Sequence, residues 1–274
     1  MTQRFLQVLA AAAALTAVDF VLSGVLLARS QQTAGTLPIL FIANALIAGI
    51  LVVIGARSNT TLARRALLLG TVWASVQANY LVEGVAFDIG LSSGDAIRAY
   101  IHAITISLVA GLVVAAVMWR DPPQVRIASQ PISPASLAWR LLLCGITYFV
   151  LYMVAGSILA WPIVRPFYQG RPAPAFASLF ALQIVRGAAF SLTVLLIERR
   201  TSNDEATADF VVGTTLAVLG GLAPLLPPNP YLPDLVRLAH LPEVVISNFV
   251  FAIVARQILV GRRERRIVHP APTS

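Results

Sequence analysis

Lysine is absent from this 274-residue chain, cysteine occurs once, and only 12% of residues are charged. A soluble domain carries about a quarter charged residues. Halving that share removes the surface that water requires and points to lipid as the solvent. The lone Cys144 excludes an intrachain disulfide and any cysteine cage for a metal or iron–sulfur cluster. Its apolar surroundings read as those of a packed thiol. Of three histidines, His269 sits in a polar tail, so the apolar runs hold too few for a three-histidine zinc site. No glycine-rich phosphate loop or His-Glu-x-x-His pair occurs, and no metal is expected.

What is present is apolar. Hydrophobic residues make up 58% of the chain and the mean hydropathy is +0.80. A transmembrane helix needs roughly 20 mostly apolar residues. Eight such runs fall at 5–28, 37–56, 66–87, 97–119, 138–161, 175–197, 208–226 and 236–260. The seventh is short, interrupted by Gly220, Gly221 and Pro224. The first is too long for a signal-peptide core and ends without a convincing small-x-small cleavage site, so it reads as a span. The expected fold is an all-α polytopic membrane protein in a bacterial cytoplasmic (inner) membrane, with the lipid bilayer as its partner.

The net charge of +8 follows from the arginines. They lie between apolar runs and in the tail Arg262, Arg263, Arg265 and Arg266, which is anchoring rather than a nucleic-acid face. With the N-terminus inside, the inner segments hold 13 arginines and the outer segments 5. The outer five are Arg29, Arg98, Arg165, Arg171 and Arg237. Both termini are therefore predicted to be cytoplasmic.

The spans also read as a four-helix unit present twice, over residues 1–127 and 128–274. Leu67-Leu-Leu-Gly-Thr-Val-Trp-Ala74 in span three matches Phe210-Val-Val-Gly-Thr-Thr-Leu-Ala217 in span seven. Leu40-Phe41 with Gly49 matches Leu179-Phe180 with Gly187. Asp95-Ala-Ile-Arg98 with His102 matches Asp234-Leu-Val-Arg237 with His240. Four spans per unit is an even number, so both copies insert alike. Parallel repeats related by an axis along the membrane normal are expected.

Ionisable residues inside a membrane are costly and face protein or water. The predicted orientation puts Asp19, Asn44, Asn79, Glu83, His102, His240 and Glu243 in the outer half, with Gln183 and Arg186 near the centre. Asn248 is a neutral companion, and Arg256 lies toward the inner face, where it is expected to snorkel. Ser75, Asn79 and Glu83 step by four; Gln183 and Arg186, and His240 and Glu243, are three apart. Such steps stack side chains on one helix face. A polar pocket near the outer surface follows, with Arg186 seeking Asp19 or Glu83.

Each feature has a plainer reading. Asp-x-x-Arg is a natural helix start, a histidine one turn further in can bond a neighbouring helix, and Arg186 can form a purely structural ion pair. Tyr148 and Tyr152 read as packing. Arg165-Pro-Phe-Tyr168 and the proline-rich 227–233 read as outer loops. The leading expectation is a small permease or ligand-binding membrane protein for a small polar or anionic ligand from outside. Its candidate ligand residues are Asp19, Asn79, Glu83, His102, Gln183, Arg186, Arg237, His240, Glu243 and Asn248. Alternatives are an intramembrane enzyme on a lipid-linked substrate with His240 and Glu243 as base and orienter, a bis-histidine haem protein through His102 and His240, and a structural or assembly protein. No other cofactor is expected.

Overall fold

The computed structural model describes residues 2–27, 33–58, 60–86, 92–119, 132–169, 175–201, 204–228 and 232–261. The basic tail, His269, Arg29, Arg120, Arg126, Arg171 and part of the 227–233 loop lie outside the described residues.

Local chemistry sets the helix starts. Pro38 opens α2 (Leu37–Arg57), which follows α1 (Thr2–Leu26); proline is pre-set for a first turn and has no amide to satisfy there. The Ser92 hydroxyl accepts from the Asp95 amide ahead of α4 (Ser93–Val117). Ser133 caps α5 (Pro134–Tyr168) in the same way, and Asp204 caps α7 (Glu205–Leu225) by accepting from the Thr207 amide. Between them lie α3 (Leu62–Ala86) and α6 (Phe176–Arg200). The last helix, α8 (Asp234–Val260), ends at Gly261, whose φ of 72° suits glycine.

Among the described residues the long elements are these eight helices, and no strand is present beyond an isolated antiparallel bridge between Ser58 and Thr201. Seven of the eight are long and apolar enough to cross a membrane. That marks the chain as an integral membrane protein. α3 has the length but not the composition, because Arg64, Arg65, Gln77, Asn79 and Glu83 dilute its apolar residues.

Two elements differ from expectation. The segment Arg165 to Tyr168 is not a loop: it forms the last turns of α5, which runs through a π-helical stretch, Gly156–Ala160, into Trp161–Tyr168. Pro162 falls directly after that wider stretch, which takes up the turn that its ring would otherwise crowd. α7 likewise stays helical across Gly220 and Gly221 by passing through a second π-helical stretch, Val218–Leu222. The connection after span six is also shorter than expected, since Glu198 lies in the last turn of α6, which runs to Arg200, and Asp209 lies in the second turn of α7.

The helices pack antiparallel in sequence. α1 lies against α2 and α4, and α3 against α4; α5 lies against α6 and α8, and α7 against α8. The two sets meet where α3 packs on α6 and α2 on α7. Small residues allow the close seams. A Cβ on Gly111 would strike the Ala66 carbonyl and stand 2.5 Å from the Gly70 nitrogen, and one on Gly187 would stand 2.5 Å from the Tyr148 Cβ. In lipid, where apolar surface has little to gain by leaving solvent, such backbone approach is what holds helices together.

Candidate ligand site at one end of the bundle

The ends of α1, α3, α5 and α7 and the starts of α2, α4, α6 and α8 share one end of this antiparallel bundle. The polar residues singled out from sequence gather there, in three groups.

The first group closes the seam between α3 and α6. The Asn79 amide donates to the Arg186 carbonyl at 3.0 Å, and the Arg186 Nε donates to the Asn79 carbonyl at 3.2 Å. The Arg186 guanidinium lies 2.6 Å from a Glu83 carboxylate oxygen and donates to Gln183 Oε1 at 2.9 Å. Gln183 in turn donates to the other Glu83 oxygen at 3.2 Å. The guanidinium carbon stands 5.6 Å from the centre of the Tyr148 ring, which packs edge-on against Phe190 and Phe251. Arg186 is only 4% exposed, whereas the Glu83 side chain keeps 22% of its surface. Of the two partners expected for Arg186, Glu83 is therefore the one that reaches it.

The second group lies on α8 against α5. His240 Nδ1 is 2.7 Å from Glu243 Oε2, and its Nε2 is 3.4 Å from the Tyr168 hydroxyl. Glu243 is buried beside Gly156, where an added Cβ would come within 3.2 Å of its Oε1. The first two groups are connected: Tyr148 and Tyr152 lie in the electrostatic reach of Glu83, Arg186 and Glu243. Tyr80 lies within the electrostatic reach of Glu83, Arg186, Tyr168 and Arg237.

The third group joins α1 to α4. His102 Nε2 is 3.1 Å from Asp19 Oδ1 and 3.0 Å from the Ser23 hydroxyl. Asn44 extends it toward α2 with a 3.4 Å contact to Thr16. His102 and His240 thus do not face each other across a cofactor. Each is engaged by a carboxylate of its own set of helices, which does not fit paired axial ligation.

Two further candidates are turned to the backbone. Arg237 donates to the carbonyls of Leu225 and Leu226 and pairs with Asp234 at 3.0 Å, so it closes the end of α7. Asn248 donates to the Gly220 carbonyl in the π-helical stretch at 3.2 Å. Arg98 pairs with Asp95 at 2.8 Å in the same i,i+3 arrangement as Arg237 with Asp234. Among the described residues no group of three or more histidine, cysteine or acidic side chains is placed to hold a metal ion.

The opposite end of the bundle holds a cluster that sequence reasoning missed. Arg256 does not snorkel. It is 1% exposed, with Nε 2.9 Å from Glu198 and Nη1 2.9 Å from Asp209. The signal was available: a span arginine needs carboxylates, and these two flank the break between spans six and seven. Arg65 and Arg140 also turn inward there, to the carbonyls of Met118 and Leu259.

The chain matches no protein-family model, no curated protein and no solved structure. The reading of the site therefore rests on its geometry.

Proposed function

We propose that this integral membrane protein is a small permease or ligand-binding protein that takes a small polar or anionic ligand from the outer side, between two parallel four-helix repeats. All eight long helices cross the membrane in this reading, α3 included, with both termini cytoplasmic.

Several features support the duplication. The pairings α1–α2, α3–α4 and α1–α4 have counterparts in α5–α6, α7–α8 and α5–α8. Across the middle, α3 against α6 is reciprocated by α7 against α2, the pattern that a two-fold axis imposes. Ser58 and Thr201, each the first residue after corresponding helices α2 and α6, bridge to one another. An antiparallel bridge between equivalent residues is what such an axis produces where it crosses the chain.

The observation that carries the function is the Arg186–Glu83 pair. It joins one repeat to the other and retains exposure at Glu83. A buried arginine paired with one accessible carboxylate is a place where an incoming anion can replace that carboxylate. Tyr148 sets its ring against the guanidinium, and Tyr80 and Tyr152 lie within electrostatic reach of the pair. Arg237 supports the rim of the site by holding the end of α7.

A second reading is favoured by the reciprocal Asn79–Arg186 bonds: a structural seam with no ligand. Thermal unfolding of the purified full chain in detergent, against acetate, phosphate, sulfate and succinate, separates the two. A ligand at a hundred times its Kd stabilises by about 2.7 kcal/mol. We expect such a shift with at least one anion and its loss in Arg186→Gln. Equal shifts in wild type, Arg186→Gln and Glu83→Gln, or none with any anion, return the seam to the structural reading.

A further inference from the structure

We propose that the two histidine–carboxylate pairs, His102 with Asp19 and His240 with Glu243, are proton-binding sites, one in each half, serving the ligand site at Arg186. The inference rests on the permease reading and names its coupling ion.

The two pairs have the same chemistry and corresponding positions but are built differently. In the first half the histidine is on α4 and the carboxylate comes across from Asp19 on α1, 3.1 Å away. In the second half α5 offers Gly156, with no side chain, where it packs against α8. The carboxylate comes instead from Glu243, one turn along α8 from His240, and its Oε1 fills the space in front of Gly156. A carboxylate therefore stands between the first and fourth helices of both halves, beside a histidine of the fourth, although different helices donate it. Plain packing would not need that: an apolar side chain at either position would fill the gap without burying charge. Each histidine also has a hydroxyl in reach, Ser23 in one half and Tyr168 in the other.

The charged side chains nearby are bonded to one another, while Tyr148 and Tyr152 lie within electrostatic reach of Glu243. Around His240 and Glu243, α8 supplies Arg237 and Asp234, which pair together; α5 supplies Tyr148, Tyr152 and Tyr168. From α6 comes Arg186, engaged by Glu83 of α3, while Asp209 of α7 and Glu198 of α6 are at the far end with Arg256. Around His102 and Asp19, α4 supplies Asp95 with Arg98, and Tyr100. α2 brings the neutral Asn44, while Tyr80 and Glu83 of α3 belong to the Arg186 group. No second cation is bonded to either pair among the described residues. A proton arriving from water on the imidazole yields an imidazolium beside a carboxylate, a neutral pair; its departure to water leaves one net negative charge at each site. Carboxylate and histidine groups inside membrane proteins commonly form such relays, and histidine is the side chain whose ordinary charge change falls near neutral pH. The His240 side chain keeps 24% of its surface exposed, in the second turn of α8 at the end of the bundle.

The test uses the purified full chain in unbuffered detergent, in a His269→Gln background so that only the two span histidines remain. Proton uptake is counted on acidification from about pH 8 to pH 5. We expect His240→Gln and His102→Gln each to take up about one proton fewer than the parent, and the double variant about two fewer. Folded variants with parental uptake overturn the proposal. If the variants do not fold, nitrogen NMR of the histidine rings in the parent decides: two rings that each keep one protonation state across the range overturn it, and rings that change state uphold it. Because no ligand is present, this outcome is separate from that at Arg186. Anion shifts that need Arg186, alongside unaltered proton uptake, leave the permease reading standing and remove this one.

Discussion

Arg186 and Arg256 each carry a positive charge into the bundle, and they are neutralised differently. Arg256 has two carboxylates, Glu198 and Asp209, and lies wholly within one set of helices. Arg186 has one, and that one comes from α3 across the seam. Breaking a buried pair strands the remaining charge and costs roughly 3–5 kcal/mol. Arg256→Gln should therefore destabilise by about that amount in equilibrium unfolding from mixed micelles, without changing anion binding. For the seam, Arg186→Gln should destabilise more than Arg186→Gln combined with Glu83→Gln, since the double variant leaves no stranded carboxylate. A double variant no more stable than the single one would show that Glu83 does not depend on Arg186.

At the scale of the helix, close approach depends on single glycines. Gly111→Ala places a methyl against the backbone of α3 and should cost roughly 1–3 kcal/mol by forcing α3 and α4 apart. Gly49 has nothing within 4 Å of an added Cβ, so Gly49→Ala should be neutral or stabilise by up to about 1 kcal/mol through helix propensity. The same unfolding assay reads both. Asp204, outside the spans, starts α7: the hydroxyl and amide of Thr207 hold its carboxyl below the usual carboxylate range. A depressed acid contributes stability above its unfolded pKa and loses it as pH falls through the folded one. The difference in stability between the parent and Asp204→Ala should thus be full at neutral pH and shrink below about pH 4.

For the whole molecule, orientation and duplication are the properties to test. In a Cys144→Ser background, a membrane-impermeant thiol reagent added to intact cells should label Asp234→Cys, at the well-exposed start of α8, and not Thr2→Cys. The reverse pattern would invert the orientation and move the polar end to the cytoplasm. On the proposed duplication each unit inserts on its own, so residues 1–127 and 128–274, co-expressed as separate chains, should reassociate through the seams α3–α6 and α2–α7 and co-purify.

The sequence by itself determined the solvent of this protein, the approximate place of its eight helices and the residues whose charge demands a partner. Run length, hydropathy and charge are local quantities, and lipid enforces them strictly: every backbone group must be paired within its own helix. It also carried the weak landmarks of duplication and the choice of Arg186, Glu83, His102 and His240 as residues to watch. Only the tertiary structure decided which partners they take. Arg186 meets Glu83 rather than Asp19, which goes instead to His102. Arg256 is sealed in by Glu198 and Asp209, and Arg165 to Tyr168 continue a helix past two prolines. Those outcomes depend on how helices far apart in the chain are seated against one another. Backbone approach at positions such as Gly111 and Gly187 sets that seating, and a helical period read along one segment holds no information about the face of another.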